Sequence, residues 1–316
     1  MINFTARITR LIKHAKGPMY ESFFHLKTKP FELVPNPDFL FMSKTHKKAI
    51  HYLFYGVMER AGFILLTGEV GSGKTTLITD LIKRLDRGVT LAKVFNTKVD
   101  SAQLIAMING DFGLKVKGKD KVTLLTELND YLIEQHARGR HAVLIIDEAQ
   151  NLKPDLLEEI RMLSNLETET SKLLQIVLVG QPELRDILAL AELRQLRQRI
   201  SINCRIYPLT RAETEEYILH RLEVAGNRNA VVFSEGSMDV IFQSCRGIPR
   251  LVNILSDFIM LTSYVEQTKT VDASMVNDIV GDLDFELLYW GSAGNGEMPE
   301  HHHDDPVTAQ AKKAEV

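Results

Sequence analysis

Residues 62–77 read GFILLTGEVGSGKTTL, and their interpretation decides the rest of the chain. The apolar run FILLTG fits a buried strand. It leads directly into the pattern G-x-x-x-x-G-K-[ST], here Gly68, Gly73, Lys74 and Thr75 with a further Gly71 between them. Such glycines let successive backbone N–H groups turn inward around an anion, and the lysine reaches the β- and γ-phosphates. The threonine hydroxyl suits Mg²⁺, and the helix that starts there adds its positive end. Gly68, Glu69, Val70, Gly71, Ser72, Gly73, Lys74, Thr75 and Thr76 are therefore expected to hold the phosphates of a nucleotide.

Outward from this stretch, strand and helix patterns alternate. Short apolar runs at 89–95, 141–147, 173–180 and 200–206 read as further strands. Residues 73–86, 101–111 and 121–138 read as helices, and Pro154 opens another as a first-turn proline should. Alternation of this kind implies a parallel sheet covered by helices on both faces. After Pro208 the strands stop, and 210–225, 234–245, 248–265 and 273–281 all read as helices. The expected fold is α/β, a P-loop sheet flanked by helices and followed by a small all-α lid. The expected division is a basic extension over 1–18, an N-terminal linker and core over 19–206, a lid over 207–285 and a disordered tail over 286–316.

Composition narrows the classes. A chain of 316 residues with net charge -3 has no general attraction for nucleic acid or anionic membranes. Cys204 and Cys245 cannot build a disulfide framework and read as small core residues. No apolar run is long enough to span a bilayer, and the N-terminus lacks the apolar centre of a secretory signal, so a cytoplasmic location is expected. Residues 1–18 place Arg7, Arg10, Lys13 and Lys16 among Phe4, Ile8, Leu11 and Ile12. That pattern suits peripheral contact with the inner face of a membrane or with a partner. A frayed extension, with Met19 as the true start, is the other reading. The run from His301 to Asp305 reads as solvated tail rather than a metal site.

The chemistry-bearing residues lie at strand ends. In LIIDEAQ, Asp147 closes a buried apolar strand, where a carboxylate holds Mg²⁺ together with Thr75, and Glu148 is placed to polarise an attacking water. DEAQ also occurs in helicases, but those need two tandem cores and only one is present. Gln181 ends the next strand and is expected to neighbour both acids, since adjacent parallel strands end at one edge. Asn96 ends another strand and is a candidate partner for Glu148. Arg194, Arg197 and Arg199 precede the last strand, where an arginine donated to a neighbouring subunit stabilises a transferring phosphoryl group. Arg250, in RGIPR (246–250), is placed to reach the phosphates across an interdomain cleft.

As a set, these residues resemble an AAA+ ATPase. More narrowly the chain resembles the ExeA-like (general secretion pathway protein A-like) ATPases, and within them the subgroup associated with exosortase (PEP-CTERM) and exopolysaccharide loci. The stretches that carry the resemblance are 19–56, 62–77, VLIIDEAQNLKPDLLEEIRMLSNL (143–166), IVLVGQPELRD (176–186), LRQRI (196–200) and GIPRLVNIL (247–255). It implies ATP with Mg²⁺ as cofactors, Glu148 as catalytic acid, Gln181 as sensor 1, Arg199 rather than Arg197 as the finger, and Arg250 as sensor 2. It also implies that residues 30–46 wrap the adenine. Longer secretion-type members continue into a membrane helix and a peptidoglycan-binding domain, so cell-wall binding is not implied for this stretch.

The function so implied is a homo-oligomeric ATPase that drives or regulates assembly of a bacterial envelope secretion or exopolysaccharide export system. A DNA-associated ATPase like the transposition regulators is the alternative. Against it, Lys and Arg number 38 to 41 for Asp and Glu, and no basic helix with interleaved aromatics occurs in the lid. A nucleotide switch that barely turns over is the third option, opposed by Glu148 and the candidate finger.

Overall fold

The computed structural model describes residues 20–290 apart from 35, 86–87, 96–98 and 169–170. The readings of 1–18, of Asn96 and of the tail beyond 290 lie outside the described residues.

Five parallel strands form the sheet: β1 (Phe63–Gly68), β2 (Val89–Val94), β3 (His141–Ile146), β4 (Leu174–Gly180) and β5 (Ile200–Ile206). Their spatial order is β2-β3-β4-β1-β5. The three central strands are buried along their whole length, which explains their unbroken apolar sequences. Alternate residues feed two cores. Phe63, Leu65, Leu144, Ile146, Ile176 and Leu178 face one side, and Ile64, Leu66, Val143, Ile145, Val177 and Val179 the other.

Helix α1 (Lys44–Met58) and α2 (Lys74–Arg84) cover the second face through Ile50, Leu53, Val57, Leu77, Ile78 and Leu81. The first face is covered by α3 (Ser101–Asp111), α4 (Lys121–Ala137), α5 (Pro154–Leu163), α6 (Glu183–Ala189) and α7 (Arg194–Arg199). Each buried Leu or Ile contributes about 1.5–3 kcal/mol of transfer free energy, so both faces are held firmly. Cys204 is a packing residue of the sheet and Cys245 of the lid, and both are buried free thiols. Burial pushes the Cys204 thiol up to about 11.

The lid comprises α8 (Arg211–Val224), α9 (Glu235–Cys245), α10 (Pro249–Val265), α11 (Ala273–Asp282) and α12 (Phe285–Trp290). Capping residues set the starts of three of these: Thr210 with Glu213 in a reciprocal box, Ser234, and Asp272. The lid is not free of strands, contrary to the sequence reading. Two-residue strands β6 (Val232–Phe233) and β7 (Thr270–Val271) pair in parallel between its helices. Pieces this short carry no periodicity to read.

Two boundaries also differ from expectation. Tyr20, Phe24, Leu26 and Phe31, read as linker to the sheet, are buried in the lid core instead. Their aromatic side chains find apolar partners there, and Lys27 N donates to Ala225 O at 2.7 Å. At the other end, the chain remains helical beyond 286. Phe285 is fully buried, and the Trp290 indole donates to Ser244 O at 2.9 Å and stacks on Arg246 at 4.2 Å.

Sheet and lid meet at Leu209, whose N–H donates to Gly247 O at 2.8 Å. Gly247 has φ +70, and a Cβ there would lie 2.0 Å from Leu209 O. Gly247→Ala is therefore expected to cost well over the roughly 1–2 kcal/mol of a left-handed residue, because the hinge must shift as well. Gly110→Ala, in a helical position with nothing within 4 Å, is expected to be neutral or stabilising by up to about 1 kcal/mol. Urea midpoints of the two variants check this, and equal losses would contradict it.

Candidate nucleotide site

The loop after β1 turns tightly enough to present its backbone inward. Gly71 and Gly73 have φ +77 and +95, a conformation that side-chain-bearing residues rarely adopt. Gly71 is required twice over. Arg250 N, at the start of α10, donates to Gly71 O at 3.2 Å, and a Cβ on Gly71 would stand 2.5 Å from Arg250 Cβ. The lid thus rests directly on the phosphate loop.

Lys74 is the first residue of α2 and is buried, its ammonium donating to Gly68 O at 2.7 Å and Glu69 O at 2.9 Å. Burial lowers its pKa, while the carboxylates of Glu148 and Asp147 act the other way. Next to it, Thr75 Oγ1 donates to Asp147 Oδ2 at 3.2 Å. Asp147 is itself buried, with its Oδ1 accepting from Glu148 N at 3.0 Å. Glu148 stands in the left-handed region at φ 53, and its Oε2 accepts from Gln181 Nε2 at 3.2 Å and from Gln150 Nε2 at 2.6 Å. Phosphate loop, Thr75, Asp147, Glu148 and Gln181 therefore lie together at one sheet edge.

Arg250 lines the same cleft from the lid. Arg199 does not. It precedes β5, beside the beginning rather than the end of β1, since Phe63 pairs with Ile200. About six residues of strand separate it from the loop, some 20 Å at roughly 3.3 Å per residue. Its guanidinium is held by Ser164 Oγ at 2.7 Å and Asn165 Oδ1 at 2.6 Å. Arg197 donates to Leu188 O, and Arg194 is exposed. Within one chain none of these arginines joins the site.

The sequence reading placed residues 30–46 around the adenine but gave His46, the last of them, no role of its own. From the first turn of α1 its Nε2 meets Ser72 O at 2.9 Å and its Nδ1 meets Ser43 Oγ at 2.7 Å. The carbonyl can only accept, so Nε2 carries the hydrogen. Burial lowers the pKa of this imidazole, opposed weakly by Ser72 O and Glu213. Also missed was a lid network. Buried Arg221 donates to Pro30 O, to Glu32 O at 3.3 Å and to Tyr217 OH at 3.0 Å, and it lies over the Phe39 ring at 4.8 Å. Tyr217 OH in turn donates to Asn253 Oδ1 at 2.8 Å. Together these fix a strap whose residues Leu33, Val34, Phe39 and Phe41 form the apolar end of the cleft. No sequence pattern marks either feature, because both are long-range contacts of common residue types.

The residues fit a nucleotide with its metal. Ser72 Oγ is buried inside the loop with no partner among the described residues, a polar atom that suits a phosphate oxygen. Among the described residues no cluster of three metal-ligating side chains occurs. Thr75 and Asp147 would thus hold Mg²⁺ only together with phosphate oxygens and water, the usual habit of this ion.

Comparison with known proteins agrees with this geometry. Residues 57–188 match the family model described as an AAA domain. General secretion pathway protein A of Aeromonas hydrophila is 39% identical over 247 residues, which cover 78% of this chain and 45% of that protein. The chain therefore spans less than half the length of this curated relative. Among solved structures, the ORC2 protein of Aeropyrum pernix superposes with a TM-score of 0.62 at 17% identity, covering 81% of this chain and 72% of that one. A RuvB variant of Thermotoga maritima gives 0.52 at 20% identity, covering 80% and 74%. At such identities these two establish the fold alone.

His46→Ala is expected to weaken binding of a fluorescent ATP analogue about fivefold, the equivalent of one hydrogen bond of about 1 kcal/mol. Burial disfavours the charged imidazole, so its contribution to stability is present above its ordinary value of 6.5 and is lost as pH falls below it. His46→Ala should flatten the acid limb of a stability-versus-pH curve, and an unaltered limb would remove His46 from that role.

Residues 57–188 thus match an AAA domain, within a chain that is similar to general secretion pathway protein A.

Proposed function

We propose that this chain hydrolyses ATP in an oligomer and uses the cycle to drive or regulate assembly of a bacterial envelope export system. The observation that carries the catalytic part is the cluster of Thr75, Asp147, Glu148 and Gln181 beside a buried Lys74. Bound ATP would supply the phosphoanhydride bond, and Mg²⁺ held by Thr75 and Asp147 would neutralise charge on its oxygens. Glu148 accepts a proton from the attacking water, and Gln181 holds the carboxylate oriented for that transfer. Lys74 and the loop amides offset the charge that develops on the phosphates. Arg250 acts as the sensor of the γ-phosphate, because any movement of α10 is felt at Gly71.

Arg199 is assigned to a neighbouring subunit's site. Its distance from its own loop supports action in trans, and its hold on the end of α5 gives it a fixed direction. The export role rests on the relative's name and on 39% identity across most of this chain. Within that role we favour the exosortase- and exopolysaccharide-associated subgroup, with a cytoplasmic location at the inner face of the membrane. No described helix is long and apolar enough to cross a membrane. The DNA-associated alternative draws on likeness of fold to ORC and RuvB and on no feature of the lid.

Glu148→Gln is expected to bind ATP normally and to lower turnover at least a hundredfold. Arg199→Ala is expected to be equally slow alone, yet mixing the two variants should restore part of the rate, because some interfaces then pair an intact Glu148 with an intact Arg199. If no mixing ratio restores phosphate release, Arg199 is not a finger in trans. Adding duplex DNA at two salt concentrations decides the alternative, since strong salt-sensitive stimulation would replace export with DNA as the partner.

A further inference from the structure

Gln150 lies in the 3-10 turn Ala149–Asn151, two residues beyond Glu148. We propose that it is a positioning residue whose amide ties the Glu148 carboxylate to the backbone of Gln181, so that the base and the end of β4 move as one unit. This rests on the reading of Glu148 as the hydrolytic base.

Three hydrogen bonds close a cycle. Gln150 Nε2 donates to Glu148 Oε2 at 2.6 Å, Gln150 Oε1 accepts from Gln181 N at 3.1 Å, and Gln181 Nε2 donates to the same Glu148 Oε2 at 3.2 Å. A primary amide donates at one end and accepts at the other, as this geometry requires. A carboxylate in its place would keep the acceptor and lose the donor, and an alkyl side chain would lose both. The end of β4 is shaped for it as well. A Cβ on Gly180 would come within 2.9 Å of Gln150 Oε1 and 2.7 Å of Leu184 Cδ2. Glycine there leaves the room the amide occupies.

The backbone of Glu148 gives the cycle a purpose. Its left-handed conformation, φ 53, is one that costs a non-glycine residue roughly 1–2 kcal/mol. The carboxylate thus leaves the strand in a direction the strand alone does not fix. Two amides converging on one oxygen fix it, and one of them is also bonded to the backbone of Gln181. Displacement of Gln181 at the end of β4 is passed to the base by Gln150 as well as by its own side chain.

The test uses the full chain and four variants: Gln150→Ala, Gln150→Glu, Gln181→Ala and the Gln150→Ala, Gln181→Ala pair. Gln150→Ala is expected to lower kcat roughly ten- to a hundredfold, as for a catalytic group displaced by about 1 Å. Affinity for a fluorescent ATP analogue should stay within about twofold. The double variant should fall less than about threefold below the slower single one, since both residues serve one cycle. Amide exchange at Gln181 in the nucleotide-free protein is the readout independent of turnover. It should rise about tenfold in Gln150→Ala, and remain protected in Gln150→Glu, which retains the acceptor yet is slow. Unchanged kcat in Gln150→Ala, additive losses, or unchanged exchange at Gln181 would each overturn the proposal. A wild-type chain that releases no phosphate defeats the ATPase reading instead, and exchange at Gln181 then decides the cycle on its own.

Discussion

The structure depends on the parallel register of β1, β3 and β4. Thr67 pairs with Gly180 and Ile146 with Leu178, so Gly68, Asp147 and Gln181 leave the sheet at one edge. Slipping one strand by a residue moves its end by about 3.3 Å and turns each apolar side chain to the opposite core. The bond from Thr75 to Asp147 would not survive this. Burial on both faces is therefore what aligns Thr75 with Asp147.

The second constraint is that one wall of the cleft is supplied by the lid and the strap rather than by the sheet. The chain begins its described course inside the lid core at Tyr20 and Phe24, crosses the cleft as the strap, and enters α1 behind the phosphate loop. Arg221 anchors the strap to the lid, and His46 anchors its continuation to Ser72. Lys44 N also donates to Glu213 Oε1 of the lid at 3.0 Å. With Arg250 resting on Gly71, the loop senses the lid from two directions. Rotation of the lid would therefore act on the phosphate loop from both sides.

The sheet was legible in the sequence because its strands are short, fully apolar and closed by residues of distinct chemistry. Asp147 and Gln181 could be placed from strand ends alone, since parallel topology sends those ends to a common edge. Gln150 could not, because its role arises from the turn geometry at Glu148, and one glutamine in a turn looks like any other. His46 was hidden on a helix whose pattern says only that one face is buried. The aromatic residues of 20–31 were read as linker because sequence distance hid their true partners, which lie well over a hundred residues later in α8 to α11. Trp290 escaped notice similarly, as its partners Ser244 and Arg246 are set by the lid fold.

The most direct test of an ATP site shared by sheet and lid is phosphate release by the wild-type chain beside Lys74→Ala in one assay with Mg²⁺. Removing a buried ammonium that faces both carboxylates should abolish nucleotide binding and phosphate release together, while the wild type shows both. Equal release by the two proteins, or a wild type that neither binds ATP nor releases phosphate, would contradict the account.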